Sequence, residues 1–248
     1  SQFKLYTKIN SKISYKPFPS PHYQIDKINI NLSKDNKASL FENAKIKIYL
    51  PLNKIYSRSS IDFNSLEILD ANINLMFKDL LNIRNHFYYS INKPIKFENS
   101  ILFLRNKESE VVVISPIDKI LYNLNENTKT KIFNLNGKLF DLDFKSEWRR
   151  NYSSPKQSVH NIQIQNPNIS IKNKFTNIDN SRFSGNSLIN FLDTELFLNY
   201  KYNDKKINLS SPSEIGNLKI FSNINLKPFD IDLNIEIYEK KINFFIDH

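Results

Sequence analysis

Four histidines, His22, His86, His160 and His248, are the residues best suited to metal binding or proton transfer, and their spacing supports neither. No His-x-x-x-His or Glu-x-x-His pairing puts two ligands on one helix face, so each reads as a surface or half-buried residue. Ser153-Ser154-Pro155-Lys156 matches a Ser-x-x-Lys nucleophile by letter. That chemistry needs a helix start and partner motifs, whereas this run falls in a proline-containing turn without them. Asp141 and Asp143, like Asp230 and Asp232, lie two apart and share a strand face opposite apolar residues. They read as the solvated side of a strand, not as an acid–base pair. Trp148-Arg149-Arg150 could stack on a base or a headgroup, but reads rather as an aromatic and two charges ending a strand at a sheet margin. No enzyme is legible in these patterns, and no metal or cofactor is expected.

Composition narrows the classes further. The 248 residues are 40% hydrophobic and 13% aromatic, ample for a folded core. The three glycines, Gly137, Gly185 and Gly216, cannot build a Gly-rich phosphate loop, and the absence of cysteine removes disulfide and thiolate chemistry. The net charge of +10 would suit an anionic partner. Its basic residues are scattered, however, with tight pairs only at Arg149-Arg150, Lys205-Lys206 and Lys240-Lys241, so no nucleic-acid partner is expected. No run approaches the roughly 18 apolar residues of a membrane-spanning helix. The abrupt start at Ser1 and the apolar end at 244–248 suggest a piece of a longer protein.

The elements that must position any site follow from a two-residue hydrophobic alternation. Ile46, Ile48 and Leu50 alternate with Lys45, Lys47 and Tyr49; Ile162 and Ile164 with Gln163 and Gln165; Ile169 and Ile171 with Ser170 and Lys172. Ile231, Leu233, Ile235 and Ile237 alternate with Asp232, Asn234 and Glu236. Successive strand side chains point to opposite faces, so each segment has one apolar and one wet face. Strands are expected near 23–32, 44–50, 61–76, 95–104, 109–115, 118–125, 130–136, 138–147, 159–165, 168–175, 194–202, 205–210, 216–226 and 229–238, after an extended, proline-rich 1–22. Asn136-Gly137 reads either as a hairpin turn or as part of one continuous strand. Short helices are expected at 52–56, 78–91 and 187–192. The fold class is therefore all-β: a long antiparallel meander with one to three short helices, in a single β-rich region over 1–248.

The first 75 residues also resemble the amino-terminal region of the AsmA family of bacterial envelope proteins. The resemblance is carried by Pro17-Phe18-Pro19-Ser20-Pro21-His22-Tyr23-Gln24-Ile25, by Ala44-Lys45-Ile46-Lys47-Ile48-Tyr49-Leu50-Pro51-Leu52 with Ile55, and by the run from Ile61 to Leu75, whose Ala71-Asn72-Ile73-Asn74-Leu75 fits an Ala-x-Ile-x-Leu phrase. Pro94–Ser100 and Leu226–Leu233 are similar to later strand phrases of the same family.

The resemblance implies a curled, groove-like sheet, anchored in the inner membrane by an upstream segment, projecting into the periplasm, and continued by further sheet downstream. It implies outer-membrane or cell-envelope biogenesis, with phospholipid acyl chains as partners bound or conducted along the groove between membranes, and no catalytic residues. A six-residue strand spans about 20 Å, comparable to an acyl chain, and each buried methylene contributes roughly 0.8 kcal/mol. The candidate groove residues are Ile46, Ile48, Leu50, Ile162, Ile164, Ile169, Ile171, Ile231, Leu233, Ile235 and Ile237. The alternative is a closed β-sandwich that scaffolds envelope proteins, since a closed core shows the same alternation.

Overall fold

The computed structural model describes residues 6–31, 39–51, 63–76, 92–106, 108–153, 157–177, 182–192, 194–203, 206–211, 218–226, 229–237 and 240–247, with backbone alone at 6, 218–220 and beyond 224. The chain is all-β: strands fill these residues, mostly in antiparallel pairs, and no helix occurs among them. Its contacts divide it into two compact units, one of 1–127 with 131–145 and one of 128–130 with 146–248.

The first unit contains β1 (Tyr6–Ile9), β2 (Ile13–Lys16), β3 (His22–Asn31), β4 (Phe41–Tyr49), β5 (Ser65–Leu69), β6 (Asn72–Met76), β7 (Ile95–Arg105), β8 (Val111–Asn125) and most of β9 (Thr130–Leu139). β3 pairs with β1, β2 and β4. β5 and β6 lie end to end between β4 and β7, antiparallel to β4 and parallel to β7. The break between them falls at Asp70, whose φ of 54° ends β5, and β7 answers with Asn99 at φ 50°. Ala71 N then donates to Ser100 Oγ at 3.3 Å, and Ile101 N to Ala71 O at 2.9 Å. The kink is thereby hydrogen-bonded rather than left open.

Alternation gives this unit a closed core. Ile25, Ile46, Ile68 and Phe97 form one cross-strand row, and each is under a tenth exposed. Ile28, Ile30, Ala44, Ala71, Ile73, Ile95 and Tyr122 complete the cluster. Burial of each large side chain contributes about 1.5–3 kcal/mol, so this core is the main source of stability here.

The second unit takes the later residues of β10 (Leu142–Asn151) and then β11 (Gln157–Ile164), β12 (Ile169–Asn177), β13 (Arg182–Phe191), β14 (Thr194–Asn203), β15 (Lys206–Ser210), β16 (Leu218–Leu226), β17 (Phe229–Ile237) and β18 (Lys240–Asp247). From β11 to β18 each strand pairs antiparallel with the next, an uninterrupted meander.

Several expectations need correction. Residues 187–192 are not a helical turn: Ser187, Ile189 and Phe191 pair with Leu198, Leu196 and Thr194 inside β13 and its neighbour. Clustered apolar residues in so short a window mimic helical spacing, and the cross-strand partners decide. The helices expected at 52–56 and 78–91 lie outside the described residues. Of the two readings of Asn136-Gly137 the continuous strand holds, since both residues lie within β9. A Cβ on Gly137 would stand 2.5 Å from Pro116 O, so glycine serves close strand approach there. The turn comes later, at Phe140 and Asp141, both at positive φ (50° and 61°). The strands expected at 109–115 and 118–125 are one strand with Pro116 inside it, the one expected at 61–76 is broken at Asp70, and the apolar chain end forms β18.

Candidate functional site

The register of the second unit gathers the candidate residues of its strands onto one face. Ile162 pairs with Ile171 and Ile164 with Ile169; these lead to Ile189 and Phe191 on β13, and Ile189 to Leu196 on β14. The same face continues through the pairs Tyr200–Leu209 and Tyr202–Ile207, and Ile207 leads to Ile224. Ile224 is in register with Ile231, and positions Leu233, Ile235 and Ile237 follow on the same side of β17. β18 extends the face with positions Ile242, Phe244 and Ile246. Strict period-two alternation makes this outcome almost obligatory once neighbouring strands pair without a slip.

Along its aliphatic rows the described side chains of this face stay partly exposed, whereas Ser158 and Ser222, which the register puts on the same face, are 4% and 3% exposed. Ile162, Ile164, Ile169, Ile171, Ile189, Leu196 and Leu198 are all half-buried. Phe191 is 45% exposed and Leu192 66%. Among the described residues, the buried apolar side chains, from Ile25 to Tyr122, belong to the first unit, whereas those buried in the second are polar or charged: Arg150, Ser158, Ser211 and Ser222.

At one end of the strands the face turns aromatic. Trp148 stacks on His160 at 5.1 Å and meets Phe175 edge-on at 5.7 Å. Phe183 follows at 6.5 Å from Phe175, stacks on Tyr202 at 4.6 Å and lies 6.1 Å from Tyr200. Tyr200 crosses over Gly185, its cross-strand partner, and donates its hydroxyl to Asn173 Oδ1 at 2.7 Å. Gly185 is required for this: a Cβ there would meet the Tyr200 hydroxyl at 2.5 Å and crowd Lys174 O. Ser187 Oγ also donates to Asn173 Oδ1, at 3.3 Å, and Ser146 Oγ shares a hydrogen bond of 2.8 Å with His160 Nε2. Burial holds His160 below the ordinary imidazole value. A polar strip of His160, Asn173 and Ser187 thus separates the aliphatic from the aromatic end.

The candidates of the first unit have a different setting. Ile46, 5% exposed, is a core residue. Ile48 packs against that core, and Leu50 is half-buried just beyond β4. On the opposite face of the same strands, Glu67 accepts hydrogen bonds from Lys47 (2.8 Å), Lys96 (3.0 Å) and the Tyr49 hydroxyl (3.1 Å). Burial alone would raise its carboxyl; the three donors outweigh it and bring the pKa to about 2. Lys96 also pairs with Glu98 at 2.7 Å, so the cluster is charge-balanced and reads as cross-strand pairing.

Of the residues weighed for chemistry, His22 is buried, with Nδ1 2.7 Å from Ser20 O and its ring on Tyr49. His86 and His248 lie outside the described residues, as do 154–156; Ser153 Oγ donates to Asn151 Oδ1 at 2.7 Å in the turn. Asp143 is exposed, 3.8 Å from Lys138, and Asp141 is an exposed turn residue. Asp230 and Asp232 are in register on the side of β17 opposite Ile231. Trp148 and Arg149 separate onto opposite faces, Arg149 pairing with Glu147 at 2.8 Å. The aromatic row and Asn173 escaped sequence reading because their partners come from different strands; the two-residue spacings Phe175–Asn173 and Tyr200–Tyr202 are the only local signal. Compared with known protein families, curated proteins and solved structures, the chain matches none.

Proposed function

We propose that the second unit binds acyl chains of phospholipid on its apolar face, as part of an AsmA-like protein of the bacterial envelope. In this reading an upstream anchor holds the protein to the inner membrane, the chain works in the periplasm, and its role is lipid transfer toward the outer membrane. The observation that carries the proposal is the continuous aliphatic face running from Ile162 to position Ile246, partly exposed at each described aliphatic residue. Burying such area against hydrocarbon is favourable by about 25 cal/mol per Å², and needs no specific polar contact. The resemblance of 17–25, 44–52 and 61–75 to AsmA supplies the biological setting. Contacting positions are Ile162, Ile164, Ile169, Ile171, Ile231, Leu233, Ile235 and Ile237; Ile46 belongs to a closed core instead. That closed core favours the scaffold reading for the first unit.

Native mass spectrometry of gently purified protein, followed by lipid extraction, tests this. Phospholipid at defined stoichiometry, lost in a folded Ile164→Asp variant, is the expected result. A stable lipid-free protein, or an Ile164→Asp and an Ile235→Asp variant that both unfold, would sink it in favour of a closed core.

A further inference from the structure

The opposite face of the second unit has a geometry of its own. Across β11 to β15 it is hollowed into an open concavity of about 560 Å³, within the size range of small-molecule sites. Its floor is two adjacent cross-strand rows: Lys174 with Asn186 and Asn199, and Thr176 with Ser184 and Lys201. No carboxylate lines it among the described residues. Lys174 and Lys201 are exposed, and among the described residues neither has an ion-pair partner. In the first unit, by contrast, Lys47 and Lys96 are matched by Glu67 and Glu98.

We propose that this concavity binds an acidic saccharide, a sugar or short oligosaccharide carrying a carboxylate or phosphate. Lys174 and Lys201 meet the anionic group. Asn186 and Asn199 each offer a donor and an acceptor, and Thr176 and Ser184 a hydroxyl, a set that matches neighbouring sugar hydroxyls. The floor is too polar for an apolar ligand. It is also poorly built for nucleic acid: the aromatic residue at its wall, Phe175, turns its ring to the other face, against Trp148 and Phe183. Base stacking is therefore not available, and two lysines neutralise too few phosphates for a polyanion.

The test is calorimetric titration of the full chain with digalacturonate, glucose 1-phosphate, neutral galactobiose and inorganic phosphate. Saturable binding of digalacturonate or glucose 1-phosphate is expected, at least about tenfold tighter than galactobiose or phosphate alone; which of the two binds identifies carboxylate or phosphate as the charge. The Lys174→Gln, Lys201→Gln double variant should weaken it by about tenfold or more while lipid retention on the opposite face is unchanged. Absence of saturable binding to both acidic sugars, binding untouched by the double variant, or phosphate binding as tightly as the sugars would each overturn the proposal. Because lipid is read out separately, failure here is distinguishable from failure of the apolar face.

Discussion

The two units share one sequence rhythm and put it to opposite ends. In the first, the apolar side of β3, β4, β5 and β7 is closed, with Ile68 3% and Phe97 4% exposed. In the second, the equivalent residues of β11 to β14 stay partly exposed, and among the described residues the buried groups are polar. Alternation therefore specifies an apolar face without specifying what covers it. A closed face stabilises the fold, while a half-open one leaves free energy available to a ligand.

The largest expected effect is in the closed core. Phe97→Ala should destabilise the first unit by about 3–5 kcal/mol, read as loss of amide exchange protection in β5 and β7. Trp148, the sole tryptophan, lies in the second unit and should keep its emission at denaturant levels that open the first.

Gly185→Val comes next. Its side chain collides with Lys174 O and the Tyr200 ring, so about 1–3 kcal/mol should be lost from the second unit. The change should shift the Trp148 unfolding midpoint and displace the Tyr200–Asn173 hydrogen bond.

Acid titration sharpens the contrast through Glu67. Its carboxyl has an ordinary value of 4.5 and about 2 in the fold. The ionised form thus stabilises the first unit above pH 4.5, and that contribution disappears as pH falls toward 2. Discounted for partly exposed lysine partners, it amounts to about 1–2 kcal/mol. Glu67→Gln should lower stability at pH 7 and flatten the slope between pH 4.5 and 2.

The smallest effect belongs to the half-open face. Ile171→Ala should cost about 1 kcal/mol or less in lipid-free protein, since exposed methyl groups are already partly solvated. A loss as large as that of Phe97→Ala would break the comparison, because it would show a closed core under β12.

Much of this architecture is legible locally. A period of two is a property of consecutive residues, so strand identity and face assignment for 162–171 and 231–237 followed from spacing alone. With hairpin pairing, the same spacing places Ile162, Ile171, Ile189 and Leu196 on one side. Local pattern misled where a short window allowed two periods, as at 187–192, and left two readings open at Asn136-Gly137, of which the continuous strand holds because glycine serves close approach there. The candidate site was half legible: its aliphatic rows were, while the Trp148–Phe183 aromatic row, the Asn173 hub and the Lys174–Lys201 concavity were not. Those depend on residues far apart in sequence meeting across strands. Burial is non-local in the same sense. Ile46 and Ile164 stand in equivalent alternating runs, and packing around each made the first a core residue and left the second partly exposed.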